Sequence, residues 1–348
     1  MIQSARQHLH TSSGPKERSK IKTTRRNLKM MKAGKLTLNV FKTRNLLNKR
    51  RNYQPMLSSI VVSDNSEFFP EKSREICRTL SLESLYSRRN FLASGSFGEV
   101  HRVIRRSDGK CMAMKVVDLK EAHHNEHDVP VIIRRHKPST DSVITVDQVF
   151  VERNQMFIVF DLMKGMDMLD YLLEIGPVSE ELSSRLMTRI LNCVKDCHDS
   201  GVAHLDVKPD NLMFRHEAKD GKIENINPED LVLVDFGSSR LLGHEEEHLG
   251  IVQATGTVGY VAPEILADRG SLASDMWSVG VVAYMTMTGK MPFPMGRKGA
   301  ESTLKGSFKQ DEQWESLSPE AKDFVSNLLL VNPSDRMSVD QALDHEFL

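Results

Sequence analysis

The 348-residue sequence has no apolar run long enough to cross a bilayer. Its longest stretch, around residues 279–287, falls short of the roughly 18–20 residues a spanning helix needs. No apolar core followed by a small-residue cleavage site stands near residue 1, which argues against secretion. The four cysteines, Cys77, Cys111, Cys193 and Cys197, form no CxxC pair and no disulfide framework. They read as reduced thiols of an intracellular protein, cytoplasmic or nuclear. Internal repeats are absent. Acid is nearly absent from the first 55 positions, where Glu17 stands against 15 Lys or Arg. Since the whole chain holds 47 residues of each sign, positions 56–348 keep 32 basic and 46 acidic side chains. The formal net charge of zero therefore hides a basic end joined to an acidic remainder.

Residues 1–85 are rich in Lys, Arg, Ser, Thr and Asn with scattered apolar positions. Such a composition buries too little surface to offset its ordering entropy, so a mostly disordered tail is expected, with one short amphipathic helix conceivable at 36–47. From Tyr86 the pattern changes. Residues 91–93, 99–104 and 111–117 are β-prone runs separated by a Gly-containing turn and by Ser107-Asp108-Gly109-Lys110, the pattern of an antiparallel meander. Residues 143–150 and 156–162 continue the strands. Helical periodicity follows at 180–199, where Leu182, Leu186, Ile190, Val194 and Cys197 recur, and again at 274–288, 319–330 and 338–347. A small β half followed by a larger helical half is an α+β arrangement with a cleft between.

The meander's first turn reads Ala93-Ser94-Gly95-Ser96-Phe97-Gly98-Glu99-Val100. Glycine lets backbone amides approach phosphate oxygens, and flanking strands hold such a loop over a nucleotide, although Gly-rich β-turns are common in their own right. Met112-Ala113-Met114-Lys115 then ends an apolar strand on a lysine. An inward ammonium needs an anion, which the phosphates of ATP supply; a lysine snorkelling from a strand end is the plainer alternative. The deciding cluster is His204-Leu205-Asp206-Val207-Lys208-Pro209-Asp210-Asn211, followed by Leu231-Val232-Leu233-Val234-Asp235-Phe236-Gly237. A divalent metal on phosphates takes hard oxygen ligands, and Asn211 and Asp235 provide them. Asp206 can orient an attacking hydroxyl and accept its proton, while Lys208 neutralises charge building on the transferred phosphoryl.

With these motifs in this order, residues 86–348 resemble the eukaryotic protein kinases, and Ala262-Pro263-Glu264, Asp275-Met276-Trp277-Ser278-Val279-Gly280 and Asn332-Pro333-Ser334-Asp335-Arg336 extend the resemblance. It implies a two-lobed fold: a small antiparallel β lobe with one helix at about 86–163, and a larger, mainly helical lobe at about 164–348. It implies ATP and Mg2+ as cofactors, protein substrates, a monomer, and no specific nucleic acid partner. Catalysis falls to Asp206, Lys208, Asn211 and Thr257, and metal binding to Asn211 and Asp235. Nucleotide binding falls to the turn Ala93, Ser94, Gly95, Ser96, Phe97 and Gly98, to Val100, Ala113 and Lys115, to Glu126 as partner of the lysine, and to Phe160, Asp161, Met163, Asp167 and Met213. Lys208, two residues after Asp206, and Gly256-Thr257 ahead of Tyr260 resemble the serine/threonine rather than the tyrosine enzymes. Phe157-Ile158-Val159-Phe160-Asp161-Leu162-Met163 looks most like the calcium/calmodulin-dependent group, whose substrate-groove acids select arginine three residues before the target hydroxyl. Asp167 and Asp210 hold those places. Glu264 and Arg336 correspond to a buried ion pair of the large lobe. The competing reading is a pseudokinase or scaffold that binds partners without phosphoryl transfer; retention of Lys115, Asp206, Lys208, Asn211 and Asp235 favours the enzyme.

Four departures stand out. Ala93 replaces the first loop glycine. Glu126 lies only 11 residues after Lys115, with Pro130 where its helix should continue, so the helix starts either before Glu126 or near Asp128, and Glu121 is the fallback partner. Leu205 replaces the arginine that in the family binds a phosphorylated activation-loop residue, and Gln253 stands where that residue would be. Activity without activation-loop phosphorylation is therefore expected, with Glu245-Glu246-Glu247 offering other contacts or a solvated charge run. Lastly, residues 215–230 read as a polar surface insertion. In the tail, Ile76-Cys77-Arg78-Thr79-Leu80-Ser81 makes Ser81 a candidate autophosphorylation site. The basic residues offer acidic proteins or an anionic membrane a partner. Cys193 and Cys197 read as buried apolar residues, and His123-His124-Asn125-Glu126-His127 as a solvated loop.

Overall fold

The computed structural model describes residues 60–62, 81–95, 98–118, 125–152, 154–241, 256–267, 269–294 and 297–348, the side chains of 60–62, 88, 89, 95, 125–127, 219 and 297 excepted. The conceivable helix at 36–47, Ser96, Phe97, Glu121, His123, His124, Glu245–247 and Gln253 lie outside the described residues, as does the side chain of Glu126.

Short runs rich in apolar residues build a six-stranded sheet from Ile60–Val62 (β1), Tyr86–Gly95 (β2), Gly98–Arg105 (β3), Cys111–Asp118 (β4), Val146–Glu152 (β5) and Gln155–Asp161 (β6), in the order β1-β5-β6-β4-β3-β2. Every pair is antiparallel except β1 with β5, where Ile60 lies opposite Val149. Side chains leave a strand on alternate faces, and each face here meets its own core. Met112, Met114, Phe157 and Val159 join Tyr86, Val103 and Phe150 on the outer face, whereas Met156, Ile158 and Phe160 join the main core. A single turn of helix, Leu82–Leu85 (α1), covers the outer core: Leu82 is buried there and its N–H donates to Glu152 Oε1 at 3.1 Å. Two pieces of the stretch read as a tail, β1 and α1, thus belong to the small lobe.

Asn125–His136 (α2) is the small lobe's other helix, and it begins before Glu126 rather than near Asp128, so Pro130 lies inside it. Val129 and Ile133, four apart on one face, are both fully buried, and that packing outweighs the helix bond Pro130 is unable to donate.

The larger lobe is helical: Met168–Ile175 (α3), Glu180–His198 (α4), Leu272–Thr288 (α5), Arg297–Leu304 (α6), Glu312–Glu315 (α7), Pro319–Leu328 (α8) and Val339–Leu343 (α9). Leu186, Ile190, Val194, Cys193 and Cys197 of α4 are buried, and α5 is buried nearly all round, as its continuous apolar sequence requires. Between α4 and α5 run four short strands, Val202–Ala203 (β7), Leu212–Phe214 (β8), Leu231–Leu233 (β9) and Arg240–Leu241 (β10), paired β7 with β10 and β8 with β9. The expected α+β, two-lobed architecture is the one found. Residues 215–230 form an excursion from the β8–β9 hairpin, closed at its base by Arg215 N–H to the Asp230 carbonyl at 2.8 Å and made of 3-10 turns. Glu264 and Arg336 pair as expected: Nη1–Oε1 is 2.8 Å and Nη2–Oε2 is 3.1 Å, with the guanidinium over the Trp277 ring.

Candidate active site

The sheet register brings the nucleotide-loop strands and the lysine together. Ala93 pairs with Val100, and Val100 with Lys115, so the three lie in one row across β2, β3 and β4; Ala113 pairs with Phe160 in the next strand. Gly98 opens β3 with φ 144°, and a Cβ there would stand 2.1 Å from the Val116 carbonyl oxygen, so only glycine fits. Ala93 and Ser94 are exposed at the end of β2. Lys115 is 7% exposed, and its Nζ lies 3.4 Å from Asp235 Oδ1. Burial works against the charged form of Asp235, but the ammonium groups of Lys115 and Lys208 outweigh it and hold the carboxyl below the usual value. α2 packs on Phe236–Ser238, the turn that follows Asp235, which puts the helix of Glu126 beside this pair.

Asp206 is the hub of the lower half. Thr257 Oγ1 donates to Asp206 Oδ1 at 2.8 Å, and Lys208 Nζ reaches Asp206 Oδ2 at 2.8 Å and Thr257 Oγ1 at 2.6 Å. Asn211 Nδ2 donates to the Asp206 carbonyl at 2.8 Å and to Oδ2 at 3.0 Å. With its amide nitrogen committed to Asp206, Asn211 keeps its carbonyl oxygen for another role. That oxygen and the ionised Asp235 form the hard donor set a divalent cation requires, so the residues present fit magnesium. Gly256, with φ 101°, would press a Cβ to 2.8 Å from the Leu205 carbonyl, and so lets the segment carrying Thr257 lie against Asp206.

A buried scaffold aims this loop. Asp275, fully buried on α5, accepts from His204 N–H at 2.8 Å, Leu205 N–H at 2.7 Å and His198 Nε2 at 3.0 Å. Leu205 is left-handed at φ 63°, an unusual conformation for a branched residue, held by these bonds. His204 Nε2 faces the Val234 carbonyl while Nδ1 accepts from Asp206 N–H, which one tautomer, protonated on Nε2, satisfies. The Asp275 motif is visible in the sequence but the task of its carboxylate is not, because two of its three partners are backbone amides that no residue pattern displays.

The remaining predicted residues are more dispersed. Phe160 and Met163 are buried between the lobes, and Met213 is half-buried on β8. Asp161 pairs with Lys110 at 2.7 Å. Asp167 is the N-cap of α3, its Oδ1 accepting from Asp170 N–H at 2.7 Å, and is bridged to Met213. Asp210 is exposed on the catalytic loop. Burial pushes the Cys193 thiol up to about 12 and Cys197 well above its ordinary value, and among the described residues no His/Cys/Asp/Glu group is arranged to hold a metal. Sequence reasoning also missed a polar pin at the back of the cleft. Lys137 Nζ lies 2.7 Å from both Asp196 of α4 and Asp199, the residue that caps that helix, and Thr140 and Ser142 donate to Asp196. The run Ser139-Thr140-Asp141-Ser142 between a helix and a strand was its one signal.

Gly95 and Gly98, paired at the ends of β2 and β3 beside the strand of a buried lysine, together with Asp206, Lys208 and Asn211 of one loop and Asp235 after β9, define a two-lobed phosphotransferase of the kinase type. Residues 86–348 match the protein kinase domain, and the chain belongs to that family. It is 32% identical over 267 residues to a serine/threonine-protein kinase H1 homolog of Pinctada fucata, covering 76% of this chain and 61% of the relative. It is 30% identical over 289 residues to a calcium/calmodulin-dependent protein kinase type 1 of Macrobrachium nipponense, covering 80% and 79%. Among solved structures it is similar to the twitchin kinase region of C. elegans, with 26% identity, a TM-score of 0.66, and coverage of 77% of this chain and 46% of that one. These relatives place it with the serine/threonine protein kinases.

Proposed function

We propose that the chain transfers the γ-phosphoryl group of ATP to serine or threonine hydroxyls that follow an arginine by three residues, without requiring phosphorylation of its own activation loop. The observation that carries the reading is the completed hydrogen-bond set around Asp206, in which Thr257, Lys208 and Asn211 orient both carboxylate oxygens. In that arrangement Asp206 receives the substrate hydroxyl and its proton, and Lys208 faces the charge developing on the phosphoryl. Lys115 holds the α- and β-phosphates, with Glu126 as its proposed partner. Asn211 and Asp235 hold magnesium, which when bound neutralises phosphate charge. The basic preference rests on charge complementarity with exposed Asp210 and with Asp167. Independence from loop phosphorylation rests on Leu205, a buried apolar residue where a phosphate-binding arginine would stand. The basic residues of positions 1–55 offer anionic partners a surface, measurable as salt-sensitive binding to phosphatidylserine vesicles.

The test is labelled ATP with an arginine-directed peptide library, wild type beside Asp206→Asn. Wild type is expected to label peptides with arginine at the third position before serine or threonine, and the variant to lose about 100-fold or more. Equal background labelling from both proteins overturns the reading in favour of a scaffold. Phosphatase treatment is expected to leave the wild-type rate unchanged.

A further inference from the structure

The segment Ile76-Cys77-Arg78-Thr79-Leu80-Ser81 plays no part in the site above, yet it places arginine three residues before a serine. Ser81 is exposed and caps α1, its Oγ accepting from Ser84 N–H at 3.3 Å. The next residue, Leu82, is buried in the outer core of the small-lobe sheet. Along β4, Met112 and Met114 reach that same core, while Lys115 leaves by the opposite face toward Asp235. The sheet and its side chains therefore stand between Ser81 and the reacting groups, a layer about 10 Å deep. While Leu82 and Tyr86 remain packed, Ser81 is barred from Asp206 of its own molecule but open to a second one.

We propose that Ser81 is a phosphorylation site that one copy of this chain modifies on another. The proposal rests on the arginine-directed activity above. Ser81 Oγ attacks the γ-phosphorus of ATP held by the second copy. The new O–P bond forms as the bond to the β–γ bridging oxygen breaks. The electron pair leaves with ADP, and the serine proton passes to Asp206 of that second copy. Recognition of the sequence position Arg78 falls to the charge of Asp167 and Asp210 of the second copy.

In the test, full-length Asp206→Asn protein is incubated with ATP, a small amount of Ser81→Ala enzyme and an arginine-bearing peptide, and phosphate at Ser81 is read by mass spectrometry. Phosphate is expected on Ser81 of the Asp206→Asn protein, at a rate proportional to enzyme concentration. The same protein carrying Arg78→Ala as well is expected to be labelled about tenfold more slowly or less. Wild type alone is expected to label Ser81 at a per-molecule rate that rises with its concentration. A rate independent of concentration overturns the intermolecular route. Labelled peptide with unmodified Ser81 overturns this proposal alone, and failure to label either overturns the arginine-directed activity with it.

Discussion

Thr257 is bonded to both Asp206 and Lys208, so a single hydroxyl fixes the geometry between base and cation. Thr257→Ala is expected to lower kcat and kcat/KM together by about 10–100-fold in steady-state peptide assays, with Thr257→Ser recovering most of it. Arg336 shows the opposite kind of importance. It is 5% exposed, bidentate to Glu264, and also bonded to the carbonyls of Leu330 and Ala273. Removing it strands a buried carboxylate, so Arg336→Ala is expected to lower unfolding free energy by about 3–5 kcal/mol in urea titrations. Both residues were legible in the sequence because family motifs carry them. Asp167 was legible only in part: its residue type matched a substrate-groove acid, while the structure employs Oδ1 to cap α3, a local bond that the motif does not display.

At the scale of elements, the pin between the turn after α2 and helix α4 has a pH signature. Burial raises the carboxyl of Asp196, but bonds from Lys137, Ser142 and Thr140 outweigh it, and the group sits below its ordinary value. A depressed carboxylate contributes stability that is complete above its unfolded value, about 4, and lost as pH falls through the folded one. The stability gap between wild type and Asp196→Asn is therefore expected to be constant from pH 7 to 5 and to shrink below about pH 4, read by denaturant titration. α2 itself contains Pro130, which lacks the N–H its turn requires. Pro130→Ala is expected to stabilise the fold by about 1–2 kcal/mol in urea unfolding, less than the full helix penalty because a buried ring is lost. Long periodic helices such as α4 and α5 were readable in advance. The short α3, α6 and α7 were not, because a stretch of eight residues or fewer offers about two turns of periodicity. The pin was invisible for another reason: its members lie 54 to 62 positions apart in the chain and meet only through the fold.

For the whole molecule, the boundary drawn by family likeness and the boundary drawn by packing differ. The kinase match begins at residue 86, but β1 and α1 precede it and are built into the small lobe. Composition suggested a tail because Lys and Arg dominate the first 55 residues, and the apolar triplet Ile60-Val61-Val62 is too short to register against that background. β1 takes up the outer hydrogen-bonding side of β5. A protein shortened to start at Tyr86 leaves Val146–Glu152 as a bare sheet edge, four of whose residues, Val146, Val149, Phe150 and Val151, are strongly β-forming. Such a truncated enzyme is expected to self-associate through that edge, seen as larger species in light scattering, while the longer protein stays dispersed. Material trimmed to the conventional domain limits would then look inactive or poorly behaved for a reason unrelated to its chemistry, and the remedy is to restore β1 rather than to alter the catalytic groups.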